Sequence, residues 1–408
     1  MSLRSGAFEA PQDVIIVGGG AAGLSLAYRL AGASPSLGIT LVEAPDGALR
    51  PPERTWCYWD CGESDIDEAV SASWSRLRIH GADGSATTVR PSPLSYHMVR
   101  SADFERLVHS RLTRLSSVRI LRATAHTVRN TAGGAEVLCT PADGRVLSLR
   151  ARYAFDSRPR HHLPPARTQL TQHFRGWFLR TETARFDPSV ADLMDFRVPQ
   201  PSHGLAFGYV LPLAPDRALV EYTEFSRAPL TTAAYETALL HYCRHILELG
   251  AFEVESAEQG AIPMTDARLA HQVGPAVFRI GTAGGATRPS TGYTFAAVQR
   301  QSRAIAASLR AGHALVPAPY GQRALAMDAV LLRALDTGRI NGPDFFTGLF
   351  RRIPPERLLR FLDGDTSLWE EWSVGLRTPI GPMLRTAVEL PFLPRRSPPE
   401  PRTGEDHR

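Results

Sequence analysis

Residues 13–23 read DVIIVGGGAAG, a strand that runs straight into a glycine turn. Asp13 to Val17 is a short β-branched run, the pattern of a parallel strand buried on both faces. Gly18, Gly20 and Gly23 follow with G-x-G-x-x-G spacing, and Leu24 to Leu30 reads as a helix with Leu26, Ala27 and Leu30 on one side. Gly18 permits the tight turn, Gly20 lets the backbone approach a pyrophosphate, and Gly23 lets helix and strand pack closely. The helix N-terminus then offers unpaired N–H groups and a partial positive charge to phosphates. A second strand, Gly38 to Val42, ends in Glu43, twenty residues after Gly23, where a ribose-binding carboxylate belongs. An acid there favours a free ribose 2′-hydroxyl, which FAD and NAD satisfy equally.

Two distant pieces separate these cofactors. Residues 277–295 read VFRIGTAGGATRPSTGYTF, a strand followed by Gly281, Thr282, Gly284, Gly285, Gly292 and Tyr293, with a helix starting near Thr294. This resembles the second flavin motif of aromatic-hydroxylase-type flavoproteins, in which a Gly-Asp pair holds the ribityl chain and the following loop and helix face the flavin ring. Thr282 stands where those proteins carry Asp. Tyr153 to Arg158 is a strand ending in Asp156, where the same flavoproteins have a strand ending in Asp-Gly. Three pieces in this order imply FAD rather than NAD.

The chain has 408 residues, enough for two or three domains. Hydrophobic residues make up 43% and charged residues 21%, which excludes disordered and fibrous classes. All 46 basic residues are Arg, scattered along the chain, and the net charge is +5. No basic stripe interleaved with aromatic residues marks a nucleic-acid groove. Cys57 and Cys61 have no second pair to complete a zinc site, so no metal is expected. The N-terminus lacks an apolar signal-peptide core, and no run of about 20 apolar residues exists to span a bilayer. A reducing cytoplasm fits this cysteine usage.

Several stretches together resemble the flavin-dependent lycopene cyclases of carotenoid-producing bacteria: Arg54-Thr-Trp-Cys-Tyr-Trp59, Gln172-His-Phe-x-Gly-Trp177, Leu193-Met-Asp-Phe-Arg197, Tyr209-Val-Leu-Pro212, Ala218-Leu-Val-Glu-Tyr-Thr223, Ile262-Pro-Met-Thr265 and Gly281 to Tyr293. The resemblance runs from about residue 13 to about 395. Thr282 is the pattern expected of cyclases. The resemblance implies that the ψ-ends of lycopene are protonated and close to β-ionone rings. There is no net redox change, yet FAD is required in its reduced form, with NAD(P)H as the external reductant. It also implies a cytoplasmic protein peripherally associated with the inner membrane, where its substrate lives.

Glu221 falls in the family's acidic motif. Leu205 to Leu211 and Ala218 to Ser226 read as a hairpin turning at Ala214 to Arg217. With a period of two, Leu219, Glu221, Thr223 and Phe225 share one face, and Val220, Tyr222 and Glu224 share the other. A carboxyl group in an apolar site is desolvated and holds its proton to higher pH, as a general acid requires. Spacing alone leaves open a solvent-facing acid. Whether Glu221 or the flavin delivers the proton is not written in the sequence. Glu224 is expected to face solvent or pair with a cation. Asp195 and Arg197 are candidates to line the site, or a structural pair. Arg100 is a candidate for the FAD phosphates, and Asp156 for the cofactor domain.

The expected fold is α/β: a Rossmann-type FAD-binding domain (11–75, 95–165 and 272–310) interleaved with a β-sheet substrate domain (76–94 and 166–271). Helices are expected over 311–390 and a disordered tail over 391–408. Leu376 to Leu393, apolar with scattered Arg and Pro, reads as either a buried or an interfacial helix. The competing function is an FAD-dependent monooxygenase or halogenase acting on an aromatic or polyketide substrate.

Overall fold

The computed structural model describes residues 12–62, 64–160 and 162–397. His161 and most of the expected tail lie outside them. Five strands form a parallel array in the spatial order Val118–Thr131, Ile39–Glu43, Gln12–Val17, Leu147–Asp156 and Val277–Arg279. Gly134–Pro141 joins the first and fourth of these by antiparallel pairing. In sequence order the parallel strands run 3-2-1-4-5, the doubly wound arrangement, with its switch point between Gln12–Val17 and Leu147–Asp156. Val14 and Ile16 face the core made with the helices Ala21–Ala33, Ser101–Leu112 and Phe295–Arg310. Ile15 and Val17 face the other side, so the whole run is apolar.

A second, seven-stranded sheet has the order Phe252–Thr265, Gln169–Thr181, Arg217–Ser226, Leu205–Ala214, Val190–Asp195, Arg76–His80 and Ala86–Val89. The expected hairpin is its centre, with Tyr209 opposite Glu221. Alternation sorts its residues onto two cores. Leu205, Phe207, Leu211, Leu219 and Phe225 pack against the C-terminal helices. Ala206, Val210, Val220 and Tyr222 pack under the helix Thr232–His241. A small sheet of Thr55–Asp60, Ser95–Arg100 and Val70–Trp74 sits between the two large ones, contributing Trp59, Trp74 and Tyr96 to one core and Tyr58 and Val99 to the other.

The helices expected in the C-terminal region are Gln322–Asp336, Gly342–Arg352, Pro355–Asp363, Leu368–Gly375 and Ile380–Glu389. Their starts are locally encoded: Asn341 accepts the Asp344 N–H at 3.0 Å, and Ser367 with Glu370 forms a capping box. One expectation is corrected. Residues 391–397, assigned to a disordered tail, continue as a helical turn (Leu390–Phe392) and bridge Arg396 to Ala166 through paired backbone hydrogen bonds.

Candidate functional site

The glycine turn has the shape its spacing predicts. Gly18 adopts φ +103°, and a Cβ on Gly23 would collide with the Gly18 carbonyl oxygen. A Cβ on Gly20 would meet no protein atom within 4 Å, so this backbone is open to a ligand rather than to the fold. Glu43 lies beneath the turn: a Cβ on Gly19 would stand 2.7 Å from its Oε1. Oε1 is 2.8 Å from His109 Nε2, whereas Oε2 is buried with no hydrogen-bond partner. An orphaned buried carboxylate oxygen is costly unless something supplies a donor, and a ribose hydroxyl at this position would do so. The donor set therefore fits an FAD adenosine and pyrophosphate.

The second glycine motif approaches from the opposite side of the switch point. Gly281 (φ +64°), Gly285 (φ +87°) and Gly292 (φ +73°) take left-handed conformations that favour glycine. Thr282, exposed, shares a hydrogen bond with Thr287 at 2.9 Å. The loop is anchored from behind: Arg288, fully buried, pairs with Asp328 at 3.2 Å, and Ser290 donates to the same carboxylate at 2.7 Å. Removing one partner of a buried pair typically costs about 3–5 kcal/mol, so this contact holds the loop in position.

The last residues of that loop, Ser290 to Phe295, form one wall of a cavity whose opposite wall is the seven-stranded sheet. Leu193, Phe207, Leu219, Phe225, Phe346 and Phe350 line it with apolar surface. Glu221 projects into this cavity and is only 9% exposed. Thr223 donates to its Oε1 at 2.6 Å. Burial first, and then the nearby Glu258 carboxylate, push the Glu221 carboxyl up to about 8, against the pull of the Thr223 hydroxyl. The acid thus keeps its proton near neutrality inside an apolar chamber. Tyr96, Tyr209 and Tyr293, which also line the cavity, bring their hydroxyls together, at 2.6 Å and 3.3 Å from Tyr96. Trp56 lines the wall and stacks on Phe295, with centroids 5.5 Å apart.

Other expected site residues lie elsewhere. Asp195 and Arg197 are a bidentate ion pair, and Tyr242 donates to Asp195 at 3.0 Å. Tyr242 belongs to the core on the far side of the sheet, so the pair is structural and does not enter the cavity. A register shift between Asp192 and Asp195 lets Leu193 and Met194 reach the cavity while Asp195 turns away. Arg100 is held by Glu53 at 3.0 Å and stacks over Phe178, rather than reaching for the glycine turn. Asp156 commits its carboxylate to Arg158. Glu224 is buried rather than solvent-facing. Tyr222 donates to it at 2.8 Å, and the helix Thr232–His241 roofs that face. The residues missed from sequence were Glu258, Tyr96 and Tyr209. Tyr209 opens one of the resemblance-bearing motifs, whereas the only signal of Glu258 and Tyr96 was position on a strand face, which is readable once the register is known.

Residues 13–388 match the model of the family described as "Lycopene cyclase protein". A lycopene beta-cyclase of Pseudescherichia vulneris is 27% identical over 311 residues, covering 74% of this chain and 75% of that protein. Among solved structures, p-nitrophenol 4-monooxygenase of Pseudomonas putida superimposes with a TM-score of 0.58 at 14% identity, over 95% of this chain and 99% of its own. A variant of Klebsiella pneumoniae HpxO complexed with FAD gives 0.59 at 15% identity, over 91% and 100%. These likenesses establish the fold, one shared with a monooxygenase and with a protein complexed with FAD. With the family match spanning both glycine motifs and the Glu221 strand, the chain belongs to the lycopene cyclase family, enzymes of lycopene cyclisation.

Proposed function

We propose that the protein closes the ψ-ends of lycopene to β-ionone rings by acid catalysis in the Glu221 cavity, with FAD bound along the two glycine motifs. The observation that carries this reading is a single one: a buried carboxyl, still protonated near neutral pH, faces the Gly292–Phe295 loop across an apolar chamber. Lycopene has no polar handle, so its site must be greasy and shaped. Glu221 gives its proton to the terminal C=C, whose π pair becomes the new C–H bond. The tertiary cation left behind takes the π pair of the neighbouring C=C, forming the ring bond. Loss of a ring proton returns an uncharged product. The apolar walls exclude water, which would otherwise trap the cation as an alcohol.

Gly18 to Gly23 would hold the FAD pyrophosphate, Glu43 the adenosine ribose, Gly281 and Thr282 the ribityl chain, and Gly292 and Tyr293 the ring. Held by these residues, reduced FAD would supply an anionic ring system, and NAD(P)H would be its reductant in this reading. Incubation with lycopene under strict anaerobiosis, with reduced FAD, tests the proposal: cyclic product is expected, and an absolute need for oxygen would contradict it.

The protein would reach its substrate by docking on the cytoplasmic face of the inner membrane. Among the described residues, no helix is long and apolar enough to cross a bilayer. The C-terminal helices nevertheless carry an exposed apolar stripe. Ile380, Leu384 and Val388 repeat every four residues along one helix face, and Trp369, Trp372 and Leu376 are exposed on the preceding helix and its C-cap. Trp369 is 84% exposed and Phe392 83%. Arg377 and Arg385 flank the stripe, also exposed. Aromatic and aliphatic side chains bordered by cations suit the interface of an anionic bilayer. Trp369→Ser combined with Trp372→Ser should lower partition onto phosphatidylglycerol vesicles by about tenfold or more. Unchanged co-sedimentation would remove the stripe from membrane docking.

A further inference from the structure

Glu221 is not the only carboxylate at the cavity. Three neighbouring strands, Arg217–Ser226, Gln169–Thr181 and Phe252–Thr265, lie side by side. Gly176 in the middle strand pairs with Glu221 on one side and with Glu258 on the other. Residues in register across a sheet present their side chains to the same face. Both acids accordingly line the same cavity. With adjacent strands about 4.8 Å apart, their α-carbons are separated by about 10 Å. A Cβ on Gly176 would stand 3.5 Å from Glu221 Cβ, 3.5 Å from Glu258 Cγ and 2.8 Å from Leu219 Cδ1. Because residue 176 has no side chain, the space between the acids stays apolar, floored by Leu219.

The two carboxylates have unequal surroundings. Glu221 accepts one hydroxyl donor, from Thr223. Glu258 accepts the Thr55 hydroxyl at 2.8 Å together with a backbone hydrogen bond from Thr55, and feels the positive charges of Arg100 and Arg54. Burial is the largest influence and leaves the Glu258 carboxyl raised above its ordinary value, although these donors and cations oppose it. The other titratable groups facing the pair are Cys57, Tyr96, Tyr209 and Tyr293, and Tyr235 lies beyond Glu221. Burial holds every one of them in its neutral, protonated form, with Cys57 pushed up to about 12. None of these can serve as a base. Glu258 has more donors and cations to favour its ionised form than Glu221 has with the single Thr223 hydroxyl, and this asymmetry orders the pair as proton holder and anion.

We propose that Glu258 is the second catalytic carboxylate of this site: the ionised partner that faces the carbocation and removes the ring proton. The proposal rests on the reading of Glu221 as the initiating acid. The protons balance. Glu221 loses one to the terminal alkene carbon, and the ring C–H pair becomes the ring C=C as its proton passes to the Glu258 carboxylate. After product leaves, both acids re-equilibrate with water, with no net uptake.

The test uses the FAD-loaded protein and two readouts. The first is the Glu221 titration midpoint, followed without lycopene by carboxyl NMR of ¹³C-Glu protein and assigned with E221Q. The second is the pH dependence of cyclisation. Glu258→Gln removes the neighbouring negative charge, so the Glu221 midpoint should fall by about one unit. The cyclisation rate should fall about 10²-fold or more, and the limb of the pH profile at low pH should disappear. Glu258→Asp should restore part of the rate, with FAD binding intact in both variants. An unmoved midpoint, or E258Q turning over like the wild type, overturns the proposal. Failure of the parent reading is separately visible: E221Q that still cyclises lycopene removes the initiating acid and takes both readings down together.

Discussion

Replacing Glu221 by Gln is expected to lower kcat for lycopene cyclisation by about 10²–10⁴-fold while FAD stays bound. Glutamine keeps the shape and the contact with the Thr223 hydroxyl but has no acidic proton to give. The same substitution carries a stability signature that a merely structural residue would lack. The Glu221 carboxyl ionises at about 8 in the folded protein, against an ordinary value of 4.5. Between those pH values the folded chain holds a proton that the unfolded chain has released. Stability therefore declines as pH rises from about 4.5 to about 8, and levels off above. E221Q lacks that slope. At pH 4 its melting temperature should match the wild type, and at pH 8 it should melt higher. Matched melting curves at the two pH values, beside the turnover assay, check both halves. A variant that keeps its activity, or whose stability shows the wild-type pH slope, removes the buried acid from the chemistry.

The second large effect concerns the cofactor. Gly20→Val should weaken FAD binding by about 10²-fold or more, equivalent to about 3 kcal/mol, while leaving the cofactor-free fold nearly unchanged. Gly20 has φ −88° and ψ −172°, extended values that valine adopts readily, and its Cβ direction is open. Exchanging a glycine N-cap for valine costs the helix about 1 kcal/mol at most. The added methyls fill the space the pyrophosphate needs. Gly23→Val behaves differently, because its side chain would strike the Gly18 carbonyl oxygen and damage the turn itself. Flavin fluorescence titration and melting of the cofactor-free protein separate the two cases. A Gly20→Val protein binding FAD like the wild type would mean that the phosphates do not sit at this turn.

Local chemistry was legible in the sequence. The strand, glycine turn and helix at 12–33, the hairpin that carries Glu221, and the C-terminal helices all depend on periodicity, caps and turn residues within a few positions of one another. What depends on long-range register was not. Glu258 joins Glu221 only because both flank Gly176, and nothing within Phe252–Thr265 announces which strand lies beside it. Glu224 reads as a surface acid because the strand does not reveal the helix Thr232–His241 that covers its face. Asp195 sits in a resemblance-bearing motif, yet a one-residue irregularity in its strand turns the carboxylate to Tyr242. In each case the missing information is a neighbouring strand, a second layer or a bulge, not a residue type.

The account's central claim is that ring closure begins with a proton from a buried carboxyl and ends with the loss of another, with no electrons or oxygen transferred overall. Mass analysis of the product formed anaerobically in D₂O tests it most directly. A cyclic isomer of lycopene, with one deuterium in place of one hydrogen for each ring closed and free of added oxygen, is the expected result. A product that carries oxygen, or a ring closed without uptake of deuterium, would contradict it.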